Sequence, residues 1–237
     1  MEQTDHRVLI IIPAYNEEET IADVLKDIEA HMKEASVVVV DDGSKDSTAL
    51  IARKMGVTVL EHPFNMGVGA AVQTGFKYAL EYGYNICVQV DADGQHPASE
   101  IPKLLEPIRR EEANVVVGSR FLEPSDYRPS LARGMGIGLF SRVVSTILGT
   151  RITDATSGFR ATDLKAMRFL KDVYPDDYPE VEALVLLHKG GFGIMEVPVK
   201  MRLRQGGKSS ITAARSVYYL VKVLLAIMVD IMKKIER

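Results

Sequence analysis

The chain has 237 residues, 46% of them apolar and 26% charged, with a formal net charge of −3. This length suits one large α/β domain, or one domain with an appendage, and the net charge argues against general nucleic-acid affinity. A single cysteine, Cys87, excludes a disulfide framework and a Cys-rich zinc site.

Cys87 lies inside an apolar run, so it reads as a small buried side chain rather than a nucleophile, and a reducing cytoplasm fits. The start of the chain is polar, and its first apolar run, 8–12, stops at Pro13, too short for a signal segment. No uninterrupted apolar run approaches the ~18 residues of a membrane span.

In chain order, 8–12 reads as a buried strand. Residues 20–35 carry Ile21, Val24, Leu25, Ile28 and Met32 at the i, i+3, i+4, i+7 spacing of a helix. A β-branched strand at 37–40 runs into Asp41-Asp42-Gly43-Ser44, and a helix near 47–55 follows, with Asp46 or Ser44 as its cap. Then come a strand at 57–60, a helix at 67–82, a strand at 86–90, a helix at 99–112 and a strand at 115–117. This β-α-β-α alternation implies a mostly parallel sheet with helices on both faces. Ligands of such sheets bind at the carboxyl ends of the strands, where Tyr15-Asn16-Glu17, Asp41-Asp42 and Asp91/Asp93 all fall.

From about residue 123 the alternation breaks. A polar loop at 124–129 precedes an apolar helix at 131–148, a loop at 153–160, a helix at 180–189 and a strand at 192–197. The last segment, 213–237, is very apolar, with Arg215, Lys222, Asp230, Lys233 and Arg237 in a narrow stripe. Its wide apolar face needs a partner. Packing on the domain or on a second subunit satisfies that need, and so does lying on a membrane. Residues 127–153 contain Arg128, Arg133, Arg142 and Arg151 and no acid, and 197–229 are likewise basic and acid-free. Such stretches suit phosphates or anionic lipid headgroups.

Asp91-Ala92-Asp93-Gly94-Gln95 follows an apolar strand and precedes a helix. Two carboxylates there can converge on one hard cation shared with a diphosphate. A helix-capping polar turn has the same composition, and the pattern alone does not choose between them.

The blocks Ile11-Ile12-Pro13-Ala14-Tyr15-Asn16-Glu17-Glu18, Val40-Asp41-Asp42-Gly43-Ser44, Asn65-Met66-Gly67-Val68-Gly69, Asp91-Ala92-Asp93-Gly94-Gln95-His96-Pro97, Gly118-Ser119-Arg120-Phe121 and Thr156-Ser157-Gly158-Phe159-Arg160 occur in that order. Together they resemble family 2 glycosyltransferases, especially the branch similar to dolichyl-phosphate mannose synthase that uses polyprenyl phosphates. The resemblance spans roughly 7–210. It implies a GT-A (Rossmann-like) α/β fold over 1–212, with 213–237 as a C-terminal amphipathic helix for membrane contact or homo-oligomerisation.

The same resemblance implies that Pro13, Ala14, Tyr15, Glu17, Asp41, Asp42, Asn65, Gly67, Asp91 and Arg204 bind a nucleotide-diphosphate sugar. Asp91, Asp93 and Gln95 would hold Mg²⁺ or Mn²⁺, while His96 reads as structural rather than as a ligand. Arg120, Arg133 and Arg160 would bind the acceptor phosphate. Asp93, Glu182 and Arg120 are the implied catalytic set, with Glu182 as base for a hydroxyl acceptor and as an orienting group for an already ionised phosphate. Arg204-Gln205-Gly206-Gly207-Lys208-Ser209-Ser210 is similar to a segment that closes over the diphosphate, but Ser210 stands where the branch often has lysine.

The expected activity is metal-dependent, inverting sugar transfer to a polyprenyl phosphate at the inner face of the cell membrane, for envelope glycan or glycolipid synthesis. Transfer to a sugar hydroxyl of a growing polysaccharide is the nearer alternative. A non-catalytic nucleotide-sugar-binding module is another, which the intact Asp91/Asp93 argue against. A sugar-phosphate nucleotidyltransferase would open with a Gly-rich basic loop, unlike Pro13-Ala14-Tyr15-Asn16-Glu17.

Overall fold

The computed structural model describes residues 7–123, 131–175 and 179–202, together with positions 222, 223, 225, 226 and 228. The side chains of 131–133 lie outside the description. The strands are β1 Val8–Ala14, β2 Ser36–Asp41, β3 Thr58–Glu61, β4 Ile86–Gln89, β5 Val115–Ser119, β6 Arg160–Asp163 and β7 Ile194–Pro198. The helices are α1 Ile21–His31, α2 Thr48–Lys54, α3 Val68–Glu81, α4 Ile101–Arg109, α5 Leu131–Leu148, α6 Leu164–Val173 and α7 Pro179–Lys189. The strands form one seven-stranded sheet in the order β3-β2-β1-β4-β6-β5-β7.

The sheet has two covered faces because strand side chains alternate. Leu9 and Ile11 of β1 join Val38, Val40, Cys87 and Val117 on one face, beneath Phe76 of α3, Phe140 and Val144 of α5, Met167 of α6 and Leu184 of α7. Ile10 and Ile12 join Val39, Val88 and Val116 on the other, beneath Val24 and Leu25 of α1 and Leu104 and Leu105 of α4. Cys87 is buried, as its sequence context indicates, and burial pushes its thiol pKa up.

The expected alternation is present with small shifts of boundary. The helix expected at 20–35 ends at His31, and the strand expected at 192–197 runs from Ile194 to Pro198. The N-cap of α2 is Ser47 rather than Asp46 or Ser44, and Asp46 just before it accepts from the Thr48 N–H at 3.0 Å and its hydroxyl at 2.5 Å.

Two elements are additions to the sequence reading. β6 lies between β4 and β5 and runs antiparallel to both, and α6 follows it, capped by Asp163, which accepts from the Ala166 N–H at 2.7 Å. β6 contains a single core apolar residue, Ala161, so no apolar run announces it. Its direction matters for the site. Arg160 pairs with Gln89 and with Val117, so the 153–159 loop enters at the edge where the parallel strands finish.

Within 213–237, Val223 is buried against the α5 side of the core while Leu225 and Met228 are exposed. The remaining positions of the expected C-terminal helix lie outside the described residues. Among the described residues no helix is long and apolar enough to cross a membrane.

Candidate active site

The ends of β1, β2, β4 and β5, the entry to β6 and the exit from β7 share one edge of the sheet. The β1–α1 and β2–α2 loops are tied together there. The Asn16 N–H donates to Ser44 Oγ (2.9 Å), Lys45 N–H to Asn16 Oδ1 (2.8 Å), Glu17 N–H to Thr48 Oγ1 (2.8 Å) and Ser47 N–H to Glu18 Oε2 (2.9 Å). Asn16 takes a left-handed φ of 54°, which asparagine tolerates. This braced floor leaves the Tyr15 ring 42% exposed beside it, while Pro13 and Ala14 are buried backbone shapers. Glu17 accepts from the Thr20 hydroxyl at 3.1 Å.

The neighbouring acids at the end of β2 have different surroundings. Asp42 is buried, and its carboxylate accepts from Met66 N–H, Gly67 N–H and the His62 ring, each at 2.8 Å. Backbone amides at the start of a helix can receive an anion. In the structure Asp42 takes those of Met66 and Gly67 and anchors the loop that exposes Asn65. Gly43 completes that contact, because a Cβ there would lie 2.6 Å from the Phe64 carbonyl carbon. Asp41 is equally buried, but only one of its oxygens is served. Oδ2 accepts from the Ser44 N–H at 3.1 Å, and Oδ1 accepts from no described residue. A buried acceptor without a donor is costly, and a ligand N–H or O–H would supply one.

Asp91 is the open carboxylate of the edge, with its side chain 37% exposed. Gln89 Nε2 donates to its Oδ1 at 3.3 Å, and Gly158 lies against it, where a Cβ would come within 3.2 and 3.3 Å of the two oxygens. Asp93 is buried and accepts from the Gln95 N–H at 3.0 Å. Among the described residues no group of three or more His, Cys, Asp or Glu side chains could by itself hold a metal. Two carboxylates of an oxygen-only set fit a hard cation completed by a diphosphate and water rather than a closed protein cage.

Two arginines expected at the acceptor phosphate are deeply placed. Arg120 forms a bidentate pair with the fully buried Asp154, Nε to Oδ2 at 2.6 Å and Nη2 to Oδ1 at 2.7 Å, and also donates to Thr156 Oγ1 at 3.1 Å. Arg160 donates to the carbonyls of Ser157 (2.8 Å), Ala155 (3.1 Å) and Glu180 (2.6 Å). These contacts shape the 154–160 loop around Asp91. Behind the loop, Glu196 of β7 accepts from the Thr153 and Asp154 N–H groups, each at 2.7 Å, and burial pushes its pKa up despite those donors. The side chain of Arg133, and Arg204, lie outside the described residues.

Glu182 is half-buried in the first turn of α7. Glu180 lies in the same turn. Burial of the carboxyl pushes its pKa up, Arg160 and Arg120 oppose that rise, and Asp91 adds to it. Gln89, Gly158 and Glu196 are further contributors that the motifs did not single out for these roles.

The sequence profile described as Glycosyl transferase family 2 matches residues 9–170. The chain belongs to that family. A relative from Methanococcus voltae, named UDP-N-acetylglucosamine--dolichyl-phosphate N-acetylglucosaminyltransferase, is 35% identical over 217 residues, covering 83% of this chain and 86% of its own. The undecaprenyl-phosphate mannosyltransferase of Micrococcus luteus is 33% identical over 221 residues, covering 87% and 88%. The crystal structure of glucosyl-3-phosphoglycerate synthase from Mycobacterium tuberculosis, with Mn²⁺, UDP and glucosyl-3-phosphoglycerate, matches with a TM-score of 0.73 at 20% identity, over 94% of this chain and 81% of that one. That likeness is one of fold, the GT-A fold, and the enzyme is a glycosyltransferase.

Proposed function

We propose that this family 2 glycosyltransferase moves a sugar from a nucleoside diphosphate sugar to a polyprenyl phosphate, with inversion, at the inner face of the cell membrane. The observation that carries the donor half is the buried Asp41 Oδ1, which no described residue serves. Beside the exposed Tyr15 ring it offers an acceptor to a nucleobase or ribose donor group. Asp91, with Asp93 and Gln95 behind it, would hold Mg²⁺ or Mn²⁺ against the diphosphate. Bound there, the cation neutralises charge on the departing nucleoside diphosphate.

The acceptor half is supported by the relatives of Methanococcus voltae and Micrococcus luteus, both named for transfer to a polyprenyl phosphate. A phosphate acceptor is already ionised and needs no base. Its oxygen bonds to the anomeric carbon as the bond from that carbon to the diphosphate breaks on the opposite side. The acid-free basic stretch 127–153 and the exposed Met135 and Leu139 of α5 support peripheral contact with an anionic lipid surface. Product destined for envelope glycan or glycolipid assembly follows from a lipid-linked sugar.

A hydroxyl acceptor on a growing polysaccharide is the second reading. Glu182, half-buried in the first turn of α7, is its candidate base, and Glu180 in the same turn has a proton affinity raised by burial. Transfer of radiolabel from a panel of nucleotide sugars to extracted lipid, run beside soluble saccharides, separates the two. Label in a chloroform-soluble phosphate ester is the expected result. Efficient labelling of saccharide, with none in lipid, overturns the lipid reading.

A further inference from the structure

His96 lies directly beneath Asp91. It is 6% exposed, and its ring stacks on the fully buried Phe159, with centroids 4.7 Å apart and planes 9° from parallel. The Asp91 N–H donates to His96 Nδ1 at 3.0 Å. A nitrogen that accepts carries no proton, so the ring's N–H is at Nε2. Nε2 is 3.7 Å from Asp91 Oδ2. That is longer than a hydrogen bond, but close enough for the N–H dipole to favour the carboxylate in this orientation.

On the other side, Gln89 Nε2 donates to Asp91 Oδ1 at 3.3 Å. Each oxygen of Asp91 therefore faces one buried N–H group. A carboxylate has about four lone-pair sites, so both oxygens retain capacity for another partner. Gly158 closes the bracket, since any side chain there would crowd both oxygens.

We infer that His96 is a positioning residue: tied to the Asp91 main chain, it presents Nε2–H to Asp91 and fixes the carboxylate for a divalent cation. Bracketing donors of this kind orient the carboxylates of metal sites, and their loss typically weakens metal binding about 10- to 100-fold. The inference rests on the proposal that Asp91 binds the cation, and it adds a residue that supplies no ligand atom itself.

The test uses the full chain, Mn²⁺, and whichever of UDP or GDP raises its melting temperature. Free Mn²⁺ is read by electron paramagnetic resonance at a temperature where near-ultraviolet circular dichroism shows every variant folded. His96→Asn keeps an acceptor near the Nδ1 position and removes Nε2–H. His96→Phe keeps the stacked ring and removes both nitrogens. Phe159→Leu loosens the packing and leaves the His96–Asp91 contact in place.

Both His96 variants are expected to bind Mn²⁺ about 10-fold more weakly, while Phe159→Leu stays within about twofold of the parent. Parent-like Mn²⁺ affinity in folded His96→Asn overturns the inference. An equal loss in Phe159→Leu also overturns it, by assigning the effect to packing. If the parent chain itself binds no Mn²⁺, the reading of Asp91 fails and the inference with it, a result distinct from the other two.

Discussion

Breaking the Arg120–Asp154 pair is the perturbation whose cost the structure predicts best. Asp154 is fully buried and Arg120 is 6% exposed, with two short charge-assisted bonds between them and a third from the Arg120 N–H to Asp154 Oδ2 at 3.2 Å. Asp154→Leu keeps much of the volume and leaves a guanidinium buried without its counter-charge. Orphaning one member of such a pair costs about 3–5 kcal/mol, against about 0–1 kcal/mol for exposed pairs. For a chain of this size, each kcal/mol lowers the melting temperature by about 2–4 °C, so a fall of roughly 6–20 °C is expected.

Arg120→Met strands the opposite charge and belongs in the same range. The double variant removes both charges and recovers most of the loss, because apolar replacement of a buried pair is often close to neutral. Urea unfolding of the parent, both single variants and the double closes the cycle, with an expected coupling of about 3 kcal/mol. A single-variant loss below about 1 kcal/mol, or additive losses, would refute the reasoning. The folded double variant also addresses the chemistry. If it transfers sugar at the parental rate, Arg120 is not the group that binds the acceptor.

Gly75→Ala on α3 should destabilise the fold although alanine is the better helix former. Its Cβ would lie 2.5 Å from Cγ2 of the fully buried Ile11, and overpacking of that kind costs about 1–3 kcal/mol. A gain in urea midpoint would contradict this. Glu180→Gln should change how stability depends on pH. The folded pKa of Glu180 lies above its ordinary value of 4.5, so its native state is favoured below that value and the advantage is lost as pH rises through the folded pKa. The variant should therefore melt above the parent at pH 8, with the difference shrinking toward pH 4, and a difference independent of pH would count against the burial of that carboxyl.

Much of the first half was legible because buried parallel strands read as continuous apolar runs, and α1 and α3 carry clear helical signals. The loop motifs also fell at the expected edge. β6 was not legible. Arg160-Ala161-Thr162-Asp163 has no apolar run, and only its bonds to β4 and β5 make it a strand. The division of labour at the end of β2 was equally hidden. Asp41 and Asp42 are chemically identical neighbours, and the fold alone sends one to the α3 start and leaves an oxygen of the other unserved.

By itself, the sequence determined the alternating architecture and the family, because these depend on local periodicity and residue type. Tertiary structure decided that an antiparallel strand delivers the 153–159 loop to Asp91, that Arg120 is held by Asp154, and that burial raises the proton affinity of Glu180. Those outcomes depend on burial and on pairing between distant segments, which set the energy of a charge or a hydrogen bond and leave no local signature in the chain.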